Sequence, residues 1–279
     1  MRALRIAVVG VQALLVFTSM TAPAVAQVAS DQAGDNRAGT AGKPSTGTWQ
    51  VSAGYETFSF RQGSSSDASQ MQWTGSGPVL MAGHDIVNAS RLHRFQFQIS
   101  STGSFSYESP LRATAAPSGD GASHLEGQYE YRRYLFRKHL PSWVDLGVGA
   151  LAFGDRTSLT RNVPPAIVIR RTTVSIGGGV AVAGGFHTRR LSVDAIWVNT
   201  LLAGTARLQH SAEPATPAWV WDWKAGYRSG LTLTAATPLT RHAALVGSCY
   251  RSVENNHLGS MTAQWFTRTH FTLGVIYGR

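Results

Sequence analysis

The side chains able to hold protons or pair charges recur at two-residue steps: Glu126, Glu130 and Arg132; Asp222, Lys224 and Arg228; Arg268 and His270; with Glu56 in the first such run. In an extended chain, residues two apart project from the same face, so each group presents its charges together. The chemistry open to them is mutual neutralisation out of bulk water, or the lining of a wet channel. A second set, Arg156, Arg161, Arg170, Arg171, Arg207 and Arg251, offers planar guanidinium forks that match phosphate oxygens. Other chemistries find little support. The 9 histidines are scattered and Cys249 is the only cysteine, so no metal-ligand spacing is present and no internal disulfide can form. The run Gly177-Gly178-Gly179 to Gly184-Gly185 lacks the Lys and Ser or Thr that complete a phosphate loop. It reads instead as room for large neighbours, or as a point of strong sheet curvature.

The elements that position these charges are strands. From Thr48 onward the chain alternates apolar and polar residues with period two. Trp219, Trp221, Trp223, Ala225, Tyr227, Leu231 and Leu233 oppose Asp222, Lys224, Arg228 and Thr232. At the end of the chain, Trp265, Phe271, Leu273, Val275 and Tyr277 oppose Gln264, Arg268, His270 and Thr272. Ten strands are predicted, over 48–60, 72–83, 91–107, 123–136, 142–155, 167–185, 190–206, 219–236, 242–254 and 261–278, the second interrupted by Pro78. Most exceed the five or six residues usual in water-soluble domains and match what a tilted strand needs to cross a bilayer. Trp49, Trp73, Trp143, Trp219, Trp221 and Tyr277 fall near strand ends, where aromatic girdles sit at the lipid-water boundary.

The fold class expected is therefore all-β: a transmembrane up-and-down antiparallel barrel of about ten strands, with the charged parity facing the lumen. An even strand count puts both termini on the periplasmic side. Connections at that end are short, and most of those at the other end are predicted to be longer, over 61–71, 108–122, 156–166 and 207–218, the last, Asn255 to Ser260, being brief. Closure pairs the first strand with the last. If Trp49 lies level with Tyr277, Glu56 falls opposite His270, with Arg268 one inward position higher and the acid within reach of both bases.

Residues 1–26 read as a signal peptide: Arg2 and Arg5 precede an apolar stretch from Ile6 to Phe17, and Ala24-Val25-Ala26 fits a cleavage site. Residues 27–47 form an unpatterned tail, and 48–279 the barrel. The signal carries 2 of the 25 basic residues and none of the 15 acidic ones, so the mature charge is 23 minus 15, or +8. Such a charge favours anionic neighbours. Outside the cytoplasm nucleic acid is not expected, which leaves phosphorylated lipid headgroups.

On these features the segment from Thr48 to Arg279 resembles the small outer-membrane β-barrel proteins of Gram-negative bacteria, with a terminal strand bearing Phe271, Leu273, Val275 and Tyr277. The chain departs from that family's terminal aromatic: it ends in Arg279, two places after Tyr277. The resemblance implies residence in the outer membrane, handling by the barrel assembly machinery, contact with outer-membrane lipid and lipopolysaccharide, and no cofactor. Barrel enzymes that act on lipid A carry a His and a Ser two residues apart, and none of the histidines here has Ser at that spacing. Asp155, His210 and Asp222 could be gathered into an acid-histidine group at the outer rim like that of omptin proteases. Chance grouping among many rim polar residues is the simpler reading, and no catalytic role is expected. The function expected is a structural or interaction barrel with a largely plugged polar lumen. The alternatives are a narrow porin-like solute or ion pore, an outer-membrane enzyme, and a soluble exported β-barrel binder. The six arginines of the second set are expected to contact lipopolysaccharide at the outer rim.

Overall fold

The computed structural model describes residues 46–64, 71–88, 90–102, 104–108, 121–135, 140–141, 143–163, 167–210, 219–222, 226–258 and 262–278. The expected signal and all of the expected tail except Thr46 and Gly47 lie outside them. Ten strands are present: β1 (Thr46–Ser64), β2 (Met71–Val87), β3 in two segments (Arg91–Thr102 and Ser104–Glu108), β4 (Gly121–Leu135) and β5 (Val144–Val163). They continue with β6 (Ile167–His187), β7 (Ser192–His210), β8 in two segments (Trp219–Asp222 and Gly226–Pro238), β9 (Ala243–Leu258) and β10 (Thr262–Tyr277).

Each strand pairs antiparallel with the next in sequence, and β1 pairs antiparallel with β10, which closes the sheet. Closure satisfies every strand's backbone donors and acceptors without water, the condition a bilayer imposes. Among the described residues there is no helix. The closing register runs from Trp49↔Tyr277 through Glu56↔His270 to Ser64↔Thr262. Pro78 does not end β2. The β2–β3 register moves by one residue between Val79↔Ser100 and Ser76↔Ser104, so the ladder is interrupted where proline has no N–H to give.

The surface is the reverse of a water-soluble protein. Leu273, Leu201 and Phe271 are 68%, 67% and 62% exposed, whereas Glu56 and His270 are each 2% exposed. Val51, Tyr55, Leu80, Phe95, Phe97, Val180, Leu233 and Val275 continue the apolar outer wall. Such a wall needs hydrocarbon around it, which argues against the soluble-binder alternative. Polar atoms on the wall are satisfied locally: the Trp197 indole N–H donates to Ser229 Oγ at 3.2 Å, and the Tyr55 hydroxyl to Ser76 Oγ at 2.7 Å. At the terminal end, Trp143 packs edge-on against Phe186 at 5.5 Å and Trp49 stacks on His84 at 4.2 Å. The side chains of Trp73, Trp219 and Trp221 lie outside the described residues.

The expectation of a long connection over 156–166 needs correction. Both strands of the β5–β6 hairpin continue past it, pairing Arg156↔Val174, Arg161↔Ile169 and Val163↔Ile167. Arg156, Arg161 and Arg207 are strand residues, not loop residues, while Arg170 and Arg171 lie in β6 as expected. Above the bilayer both sheet faces meet water, so a strand needs no apolar parity there and its boundary leaves no mark in the sequence.

A closed sheet of this kind resists dodecyl sulfate until heated. Purified protein is expected to migrate faster on an unheated gel than after boiling, and a single unchanging band would remove the barrel.

Candidate functional site in the barrel lumen

Parity decides what enters the lumen. On β4, His124, Glu126, Glu130 and Arg132 point inward and are buried; on β5, Asp155 and Thr157; on β8, Arg228; on β9, Ser252 and Glu254; on β10, Arg268, His270 and Thr272. The wall brings them to common depths, and they bond to one another across it.

Arg228 is the hub. Its Nη1 lies 3.0 Å from Glu126 Oε2, its Nη2 2.6 Å from Glu254 Oε2, and its Nε donates to the same Glu254 oxygen at 2.8 Å. Nη2 also contacts the Asp155 carboxylate. The guanidinium carbon lies over the Phe153 ring, 4.0 Å from its centroid, so an aromatic ring covers the cation while its N–H edges meet carboxylates. Room for that ring comes from β6: a Cβ on Gly177 would stand 2.6 Å from Phe153 Cε1.

Arg268 crosses the lumen. Its Nη2 donates to Thr157 Oγ1 at 2.9 Å, its Nη1 lies 3.6 Å from Glu126 Oε2, and it meets the His124 ring. His124 in turn holds Thr157 Oγ1 and Glu126 Oε2, each at 3.2 Å. Glu56 accepts hydrogen bonds from Gln98 Nε2 at 3.0 Å and Ser100 Oγ at 2.7 Å, and its Oε2 lies 3.8 Å from His270 Nδ1. His270 stacks on Tyr250 with centroids 4.8 Å apart.

Nearer the terminal end, Glu130 accepts from Arg132 Nε and Nη2 at 2.8 and 2.6 Å. Arg94 grips Asp85 with Nε and Nη2 at 2.8 and 2.7 Å. Closer still to that end, His187 Nε2 lies 3.4 Å from Asp145 and 3.7 Å from Asp194. On the far side of the Arg228 cluster the lumen turns apolar, with Phe58, Phe60, Ala122 and Phe266 packed together and the Phe60 and Phe266 ring centroids 4.5 Å apart.

Of the residues singled out in the sequence, Glu56, Glu126, Glu130, Arg132, Arg228, Arg268 and His270 are buried together inside the barrel. Lys224 lies outside the described residues; Asp222 pairs with Thr205 on β7, but its side chain, like that of His210, also lies outside them. Asp155 belongs to the Arg228 cluster and not to a rim grouping. Arg268 contacts Thr157, His124 and Glu126 in preference to Glu56. Asp155 was considered only for the rim, and Glu254, His124, Gln98 and Arg94 were not counted in the lumenal network, although each shares the inward parity of its strand. Extending that parity rule to every polar residue would have found them. Of the second arginine set, Arg156 and Arg251 are exposed, and the side chains of Arg161, Arg170, Arg171 and Arg207 lie outside the described residues. Among the described residues no group of His, Cys, Asp and Glu is arranged to hold a metal ion.

A closed ten-stranded antiparallel barrel with an apolar outside and a charged inside defines a class, the outer-membrane β-barrels of Gram-negative bacteria. No family model matches the sequence, and no curated protein does. Among solved structures the chain is similar to the outer membrane protease OmpT from Escherichia coli, with a TM-score of 0.63 at 10% identity over 86% of this chain and 99% of that one. The translocator domain of the autotransporter NalP from Neisseria meningitidis also matches, at TM-score 0.40, 9% identity and 95% and 97% coverage. So does Neisserial surface protein A, at TM-score 0.37, 8% identity and 85% and 100% coverage. At these identities the likeness fixes the fold alone.

Removing the hub takes from Asp155, Glu254 and Glu126 the cation they share, leaving Glu126 with Arg268 and His124. Arg228→Met is expected to destabilise the barrel by about 3–5 kcal/mol, read from urea unfolding in lipid vesicles, while exposed Arg156→Gln leaves stability unchanged.

Proposed function

We propose that this chain is an outer-membrane barrel with a structural or interaction role, its lumen blocked by its own side chains. One observation carries the reading. The Arg268–Thr157 hydrogen bond joins β10 to β5, strands on opposite sides of a ten-stranded wall, at 2.9 Å. A side-chain contact across the full diameter divides the lumen at that depth, which supports a blocked interior over a conducting one. Barrels of about this size have interiors that side chains can fill. The apolar packing of Phe58, Phe60 and Phe266 adds a second obstacle on the far side.

We read the chain as non-catalytic. His124 and His270 are 5% and 2% exposed and engaged with carboxylates, hydroxyls or an aromatic ring, so neither is free to act on a bound substrate. Export follows from the 1–26 signal: mass spectrometry of the outer-membrane fraction is expected to give Gln27 as the first residue. The exposed Arg156 and Arg251 support contact with lipopolysaccharide phosphates at the outer rim.

Planar-bilayer recording tests the blocked lumen. Correctly inserted protein, verified by its heat-dependent gel shift, is expected to give no discrete conductance steps. Reproducible single-channel steps would replace this reading with the pore.

A further inference from the structure

The outer wall formed by β8, β9, β10 and β1 changes character partway up. Its lower rows are Trp49–Tyr277–Ala243, Val51–Val275–Leu245, Ala53–Leu273–Gly247 and Tyr55–Phe271–Cys249. The next rows are Thr57–Thr269–Arg251, Ser59–Thr267–Val253 and Arg61–Trp265–Asn255. From the Trp49 row to the Thr57 row the chain climbs about 26 Å along the strand, or about 20 Å along the barrel axis at an ordinary tilt. The apolar band of such barrels is about 25 Å tall, so the Thr57 row lies just inside its upper edge and the Ser59 and Arg61 rows reach the headgroups.

Two grooves lie on this wall, one above the other. The upper, of about 520 Å³, is lined by Ser59, Arg61, Arg251, Val253, Trp265 and Thr267. Arg61 and Arg251 flank it from the strands on either side of β10, and the Ser59 and Thr267 hydroxyls add further donors. The lower, of about 640 Å³, is apolar: Ala53, Ala235 and Gly247 keep it open, and Tyr55, Phe271 and Leu273 wall it. Among the described residues no acid pairs with Arg61 or Arg251. The nearest acids in sequence, Glu56 and Glu254, are buried in the lumen. The inward arginines Arg94, Arg132 and Arg228, by contrast, are all held by carboxylates.

We propose that these two grooves are one binding site for a phosphorylated, acylated lipid of the outer leaflet, its phosphate between Arg61 and Arg251 and an acyl chain in the groove below. Two guanidinium groups facing lipid need an anion at their own depth, and a phosphate carried on a lipid is the anion present there. The apolar groove directly beneath selects a lipid over a free phosphate. The proposal rests on the outer-membrane reading and deepens it by naming the lipid's seat.

Native mass spectrometry of the full mature chain in detergent tests it, using bisphosphorylated lipid A, the same lipid without phosphates, and inorganic phosphate. The wild-type chain is expected to retain one bisphosphorylated lipid, to lose at least tenfold in retention with the dephosphorylated lipid, and to keep its lipid against excess inorganic phosphate. Arg251→Gln and the Arg61→Gln/Arg251→Gln pair are expected to lose retention about tenfold or more, and Arg189→Gln, exposed at the terminal end of the barrel, to keep it. Equal retention of both lipids, displacement by inorganic phosphate, an undiminished double variant, or a second copy of the chain in place of lipid would each overturn the proposal. The heat-dependent gel shift reports on the barrel separately, and the comparison of lipids on the wild-type chain does not depend on any variant folding.

Discussion

Pairing of β1 with β10 is the constraint on which the rest of the structure depends. In hydrocarbon an unpaired N–H or C=O has no water to turn to, so an open edge is not tolerated and the sheet must return on itself. Once it does, every residue faces either out or in, and the two faces obey opposite rules. Outward positions meet lipid and are apolar. Inward positions are enclosed by a ring too narrow to keep them in bulk solvent, and polar residues there must find partners in one another. The two-residue period that makes Leu273 68% exposed makes His270 2% exposed. Both follow from the same closure.

This explains what was legible in the sequence. Alternation alone located the ten strands, because the bilayer enforces it for as long as the chain is in lipid. Closure then fixed Glu56 opposite His270, since one anchoring pair, Trp49 with Tyr277, determines every other pair along two antiparallel strands. The far end of β5 was not legible, because Arg156 to Val163 lie in a ladder whose periodicity no longer carries information about depth, whereas the start of β6 at Ile167 was.

The identity of the lumenal partners was also hidden, for a different reason. Neighbouring strands are related by register, which sequence can suggest. Arg268 on β10 and Thr157 on β5 are instead related by the barrel's diameter and stagger, which emerge only when all ten strands are in place. Sequence could say that Arg268 faces inward; it could not say that the guanidinium would pass Glu56 to reach the opposite wall. Asp155 was drawn to the rim by the same gap, its true partner being Arg228, 73 residues away.

The network also bears on how one structure is chosen over its neighbours. A slip of one residue in any strand would send its inward charges into lipid and its outward leucines into the lumen, so gross errors are penalised by the membrane itself. A slip of two residues keeps the parity and escapes that penalty. What such a slip cannot keep is Arg228 within reach of Glu126, Asp155 and Glu254 at once, or Phe153 in the space that Gly177 leaves beneath the guanidinium. Buried ion pairs add little net stability over apolar packing, but breaking one strands a charge. In this lumen, where hydrophobic burial cannot discriminate between registers of equal parity, that asymmetry is what ties β4, β5, β8 and β9 to a single alignment.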